Sequence, residues 1–244
     1  MSLMEQLITN TTPAPPKVII YGQPGVGKTT IAAAAGALLV DFENGAGMVP
    51  NLIRTPYIDS WHDGRKWLQE MANAESIPPA IAIDTVDWLV TRIIEHVCVD
   101  LDGKFPGDIT NTIGTAHGGY FKAREIVRNI IFRDLFPLLN RINQRGAVII
   151  LLAHATNAKE TTPEGFEIRR ASPAVPPEYI GMFTEWVDAL LYAHMDGDKR
   201  MVTTRCTNVV VAKNRFGMEQ DMPLDWPTLA SAMYIENEKE QTNG

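Results

Sequence analysis

The sequence lacks several features, and each absence narrows the field. It has two cysteines in 244 residues, Cys98 and Cys206, with no metal-binding spacing. That argues against a disulfide-stapled or zinc-built domain and fits reduced thiols in a cytosolic protein. No apolar run approaches 18 residues, so no helix is expected to span a bilayer. The N-terminus has neither the basic nor the apolar region of a secretory signal. Positive charge is not in excess: 22 Lys and Arg stand against 29 Asp and Glu, a net charge of −7. Contact with nucleic acid is then expected only through a local basic groove. No internal repeat is present. What remains is a chain with 45% apolar residues, enough for one sizeable core.

One stretch organises the rest. An apolar run, Val18–Ile20, leads into Gly22, Gln23, Pro24, Gly25, Val26, Gly27, Lys28, Thr29 and Thr30, and an alanine-rich segment follows. Strand, glycine-rich turn and helix are the context that makes G-x-x-x-x-G-K-[ST] a phosphate-binding loop. Glycines at 22, 25 and 27 allow φ values closed to other residues, so backbone N–H groups can turn inward around an anion. The helix that begins near Lys28 directs its positive end at the same point. Lys28 is expected to reach the β- and γ-phosphates, and Thr29 to hold Mg²⁺. The expected ligand is a nucleoside triphosphate.

Helix–strand alternation through the remaining chain predicts an α/β fold with a mainly parallel sheet. Residues 1–16, rich in Thr and Pro, read as a flexible lead, 17–235 as one domain, and 236–244 as a disordered tail. Strands are expected at Leu38–Phe42, Thr55–Ile58, Ala80–Asp84 and Ala147–Ala153, and Ser60 is expected to cap a helix. Leu101–Gly119 and Thr156–Tyr179 read as long polar loops, which in a compact domain are usually functional or disordered. Asp196-Gly197 predicts a hairpin turn from a strand at Val187–Ala193 into a long strand from Met201 to Val211.

Several polar residues stand where strands end. Asp84 closes a buried strand and can hold Mg²⁺ through water, with Asp87 as the second candidate. Glu43 follows the strand after the phosphate loop and is the candidate to activate water. His154 ends an apolar strand at the same edge and can sense the γ-phosphate. Lys213 and Arg215 sit two apart, so an extended chain projects both to one side.

The pieces Gly-Gln-Pro-Gly-Val-Gly-Lys-Thr, Val-Asp-Phe-Glu, Ala-Ile-Asp-Thr, Leu-Leu-Ala-His and Val-Ala-Lys-Asn-Arg-Phe-Gly occur in this order from Lys17 to Met233. Together they resemble the RecA-type ATPase core, in particular compact phage-encoded recombination and annealing ATPases. The resemblance implies a RecA-like P-loop fold with a C-terminal antiparallel hairpin, ATP and Mg²⁺ as ligands, and a bacterial or phage-infected cytoplasm. It implies catalytic roles for Lys28, Glu43 and His154. Lys213 and Arg215 would be a finger reaching the nucleotide of a neighbour in a head-to-tail assembly. Single-stranded DNA is the implied partner, with a replication or recombination protein as another. Lys104, Lys122, Lys159, Arg169 and Arg170 are available for phosphates, and Tyr120 and Phe166 for base stacking. The chain has little room for the flanking domains of full-length RecA proteins, so strand exchange unaided is not expected. Two other functions begin with the same loop: a small-molecule or nucleotide kinase, and a non-enzymatic ATP-gated adaptor or loader.

Overall fold

A computed structural model describes residues 14–234, apart from 105, 106, 162–164 and 166. The strands are β1 (Lys17–Gly22), β2 (Ala37–Asp41), β3 (Ile53–Arg54), β4 (Ala80–Asp84), β5 (Val148–Thr161), β6 (Glu167–Pro173), β7 (Ala189–Asp196), β8 (Lys199–Thr203), β9 (Lys213–Asn214) and β10 (Asp221–Pro223). The helices are α1 (Lys28–Ala34), α2 (Trp61–Asn73), α3 (Val86–Glu95), α4 (Lys122–Ile130), α5 (Phe136–Gln144), α6 (Pro177–Trp186) and α7 (Trp226–Tyr234). Ser60 caps α2 by accepting a hydrogen bond from the Asp63 amide, as its position predicts.

The sheet runs β10-β8-β7-β1-β5-β4-β2-β3, parallel from β7 to β3 and antiparallel at the β7, β8 and β10 end. The inner parts of its central strands, Val18–Ile20, Ala80–Ile83 and Val148–Ala153, are apolar throughout because both faces are covered. Val18, Ile20, Ala82, Ile150 and Leu191 pack with α1 and α7 on one face. Ile19, Tyr21, Ile81, Ile83, Leu151 and Leu190 pack with α2 to α6 on the other. This is the mainly parallel α/β architecture, with a C-terminal antiparallel hairpin, that the sequence predicts.

Register decides which residues share an edge. Gly22 lies opposite His154 on one side and Ala193 on the other, and Asp84 lies opposite Asp41. The carboxyl ends of β1, β2, β4 and the core part of β5 therefore open at the same edge, where ligands of open α/β sheets bind.

Three expectations need correction. Thr156–Tyr179 is not a loop: β5 continues past the core and pairs with β6 from Ala155↔Pro173 to Thr161↔Glu167. Its polar, two-sided composition hides a strand whose partner is its own continuation. The long strand from Met201 to Val211 ends at Thr203. Val209 and Val211 instead exchange hydrogen bonds with Ala171 of β6, and Val209 stays exposed. The third strand is shorter and earlier than Thr55–Ile58, although the Thr55 and Ile58 amides still bond to the Leu39 and Asp41 carbonyls. The tail at 236–244, most of the lead at 1–16, and Phe166 lie outside the described residues. Among the described residues no helix is long and apolar enough to cross a membrane.

Gly22 is required by space and not by its backbone angles. A Cβ built there would lie 2.3 Å from the Ala193 carbonyl oxygen, which belongs to the neighbouring strand and cannot swing away. Gly25, by contrast, has open space around it but a φ of +79°. We expect Gly22→Ala to lower stability by about 1–3 kcal/mol through overpacking, and Gly25→Ala by about 1 kcal/mol through its left-handed backbone alone. Urea unfolding midpoints check both.

Candidate functional site

The phosphate loop bends through Gly25 and Gly27, at φ of +79° and +107°, values that a side chain would penalise. Val26 is buried and anchors the loop in the core. The Val26 amide turns back onto the Gln23 carbonyl at 3.5 Å. Lys28 is buried and donates from Nζ to the carbonyls of Gly22 at 3.0 Å and Gln23 at 3.1 Å. Burial lowers its pKa, offset in part by the charges of Asp84, Glu43 and Asp87.

Thr29 and Asp84 meet as their spacing from strand and loop requires: Thr29 Oγ1 donates to Asp84 Oδ2 at 3.0 Å. Asp84 is 3% exposed. Burial raises its pKa to about 6, and the negative charge of Glu43 adds to the rise, while the Thr29 hydrogen bond opposes it. A hydroxyl and a desolvated carboxylate, both hard oxygen donors, fit a magnesium ion that keeps most of its water.

Glu43 owes its position to Asp41. Asp41 is fully buried, pairs with Arg54 at 2.7 Å, and accepts from the Glu43 and Asn44 amides at 3.1 and 2.6 Å. The chain turns around that carboxylate and directs Glu43 into the cleft. There its Oε1 lies 3.3 Å from His154 Nε2. His154 Nδ1 lies 2.8 Å from Asp87 Oδ2, and the His154 amide donates to Asp87 Oδ1 at 3.0 Å. Both ring nitrogens thus face carboxylates, an arrangement in which only the imidazolium has a donor for each. Burial works against that charged form. The hydrogen bond and charge of Asp87, with the charge of Glu43, outweigh it and raise the His154 pKa.

Pro24, Gly25, Gly27, Lys28, Thr29, Thr30, Glu43, Asp84 and His154 line one cleft of about 280 Å³, together with Gly45, Val49 and Arg200. Two of its functional groups were not legible. Asp87, the second metal candidate, is hydrogen-bonded to the His154 amide and ring; its place in the first turn of α3 gives no hint of that neighbour on β5. Arg200 reaches the loop from the β7–β8 hairpin, and only the register of β7 against β1 could have signalled it.

Lys213 and Arg215 lie elsewhere. Lys213 pairs with Leu190 and Asn214 with Ala189, and Ala189 lies opposite Val18, so this segment sits toward the entry end of β1. They do not project together from a long strand. Lys213 Nζ donates to the carbonyls of Thr184, Glu185 and Val187, satisfying groups that the end of α6 leaves unpaired. Arg215 pairs with Asp188 at 3.4 Å and is more exposed.

The raised pKa of Asp84 makes a stability prediction. A carboxyl whose folded pKa exceeds its unfolded value loses folding free energy as pH rises from about 4 to about 6, and carries the whole cost above that. Asp84→Asn cannot ionise, and its amide oxygen still accepts from Thr29. Without nucleotide or metal, the variant is expected to gain about 1–3 kcal/mol over the parent at pH 8 and little at pH 4. Thermal unfolding at the two pH values checks this.

No curated protein sequence matches this chain. Similar solved structures include the flagellar accessory protein FlaH from Methanocaldococcus jannaschii, at 12% identity and a TM-score of 0.40 over 89% of this chain and 88% of that one. The RadB recombinase is another, at 15% identity and a TM-score of 0.46 over 85% of each chain. The family model described as an AAA domain matches residues 14–216. The chain belongs to the AAA-domain family.

Proposed function

We propose that this protein is a Mg²⁺-dependent, RecA-like ATPase whose nucleotide state is coupled to single-stranded DNA. The observation that carries the hydrolytic reading is the Asp87–His154–Glu43 series next to the Thr29–Asp84 pair. Lys28 leaves its two loop carbonyls for the phosphates. Magnesium, held by Thr29 and Asp84, would offset charge on the phosphate oxygens. Glu43 takes the proton of the attacking water. His154, clamped by Asp87, holds the Glu43 carboxylate in place until a γ-phosphate competes for its ring N–H.

His154 also stands at the root of the β5–β6 hairpin, where the Ala174 amide bonds to its carbonyl. That continuity supports coupling between the γ-phosphate and the hairpin, which carries Lys159 and Arg169. A second basic and aromatic surface supports the DNA partner. Tyr120 is 91% exposed. With His117, Phe121, Lys122, Arg124 and Arg128 it borders a concavity of about 890 Å³, also lined by Glu125 and by Glu178, which pairs with Arg124. The two families of groups, cations for phosphates and ring faces for bases, are those that bind single strands without sequence preference. In a head-to-tail assembly Arg215, with its exposed guanidinium, is the cation that reaches a neighbour's nucleotide, while Lys213 serves α6.

Glu43→Gln should retain ATP binding and lose about 10²- to 10⁴-fold in turnover, the scale of a lost general base. Phosphate-release kinetics with a parallel binding titration measure the two separately. An unchanged rate removes Glu43 from catalysis; phosphate transfer to a nucleoside acceptor replaces the hydrolase reading with a kinase. Single-stranded DNA should bind more tightly with a non-hydrolysable ATP analogue and weaken steeply with salt, since the contacts are to phosphates. Affinity indifferent to both removes DNA as the partner and leaves an ATP-gated adaptor.

A further inference from the structure

The role of Arg200 follows from register. β7 pairs with β1 in parallel up to Ala193, opposite Gly22, and then runs on past the end of β1 to Asp196. β8 returns antiparallel with Arg200 opposite Met195. Arg200 is thereby carried beyond the last residue of β1, above the phosphate loop. Its side chain lies against Gly27: a Cβ built on that glycine would stand 3.1 Å from one guanidinium nitrogen. The residue is exposed, it borders the nucleotide cleft, and among the described residues no carboxylate pairs with it. This holds in a chain with more acids than bases, on a hairpin whose own turn contains Asp196 and Asp198.

The charge inside the cleft gives that guanidinium a purpose. Lys28 and His154 face three carboxylates, Glu43, Asp84 and Asp87. A triphosphate brings several further negative charges, and one lysine is a thin counter-charge for them even with a divalent cation. A guanidinium is planar, always charged and forked, which suits two oxygens of one phosphate group.

We propose that Arg200 is a nucleotide-binding residue that contacts the phosphate chain held by the loop of its own protomer. This rests on the nucleotide-binding reading above and adds a second fixed cation, supplied in cis by the β7–β8 hairpin. The site then needs the hairpin as well as the loop, and the hairpin closes one wall of it.

The test uses the full chain and fluorescent ATP and adenosine derivatives in equilibrium titrations with magnesium. Arg200→Ala should weaken ATP binding by about 10- to 100-fold, the range for one charge-assisted hydrogen-bonded contact, and leave the thermal midpoint unchanged. Arg200→Lys should recover part of the loss, and adenosine binding should not respond to either variant. Mixing Arg200→Ala with Lys28→Ala subunits should restore no ATP affinity, because neither protomer has both cations. Unchanged ATP affinity in Arg200→Ala, with Lys28→Ala unable to bind, overturns the proposal and leaves the nucleotide reading intact. An equal loss for ATP and adenosine overturns the phosphate contact in favour of the base, and recovery on mixing overturns action in cis. Lys28→Ala binding ATP like the parent defeats the nucleotide reading, and the proposal with it.

Discussion

The cleft has to keep carboxylates close together with little water to screen them. Asp84 is nearly inaccessible, Glu43 approaches it closely enough to raise its pKa further, and Asp87 lies just across the imidazole. Such an arrangement is costly by itself. The protein offsets the cost locally with two basic side chains. Lys28 is fixed by loop carbonyls, and His154 is held between Asp87 and Glu43. The rest of the fold serves this arrangement. The parallel register brings the strand ends to one edge, and Asp41, bound to Arg54, fixes the turn that carries Glu43. Surplus negative charge in the cleft suits a divalent cation, for which the Thr29–Asp84 pair is the proposed donor set.

How much of this could be read in advance depended on whether the signal was local. The phosphate loop, the Asp84 strand and the Ser60 cap are written in consecutive residues, so they were legible. The places of Glu43 and His154 at this edge were legible too, because each stands at the end of a strand-forming stretch, Leu38–Phe42 and Ala147–Ala153. Asp87 was not, since its partner is 67 residues away and a first-turn helix acid is more often solvated. Arg200 needed a knowledge of strand order as well as strand identity. The Val209–Val211 run misled because three β-branched residues in a row read as a strand interior. In the fold they serve as a short clasp on β6, together with the Tyr21 hydroxyl, which donates to the carbonyls of Ala171 and Val211. Lys213 misled for a related reason. A cation after an apolar run gives no indication of whether it faces solvent or the carbonyls of a helix end.

The Tyr21 bonds also tie the neighbourhood together. Tyr21 is the residue just before Gly22, fully buried, and its hydroxyl reaches the two segments that flank the hairpin root. The strand that delivers the phosphate loop is thus bonded to the segment that returns from the hairpin. Strand β1, the hairpin root and the 209–211 clasp are joined by one set of hydrogen bonds.

The continuity of β5 has a mechanical consequence. The strand passes from the clamped centre of the sheet, at His154, to Thr161 without a break, a reach of about 23 Å at roughly 3.3 Å per residue. A strand of that kind can act as a lever with its fulcrum at His154, on the edge of the cleft. Tilting its base by about 5° displaces its far end by about 2 Å over that reach. Under the proposed coupling, a small tilt at His154 would thus move the hairpin end by most of a hydrogen-bond length, with no hinge in between.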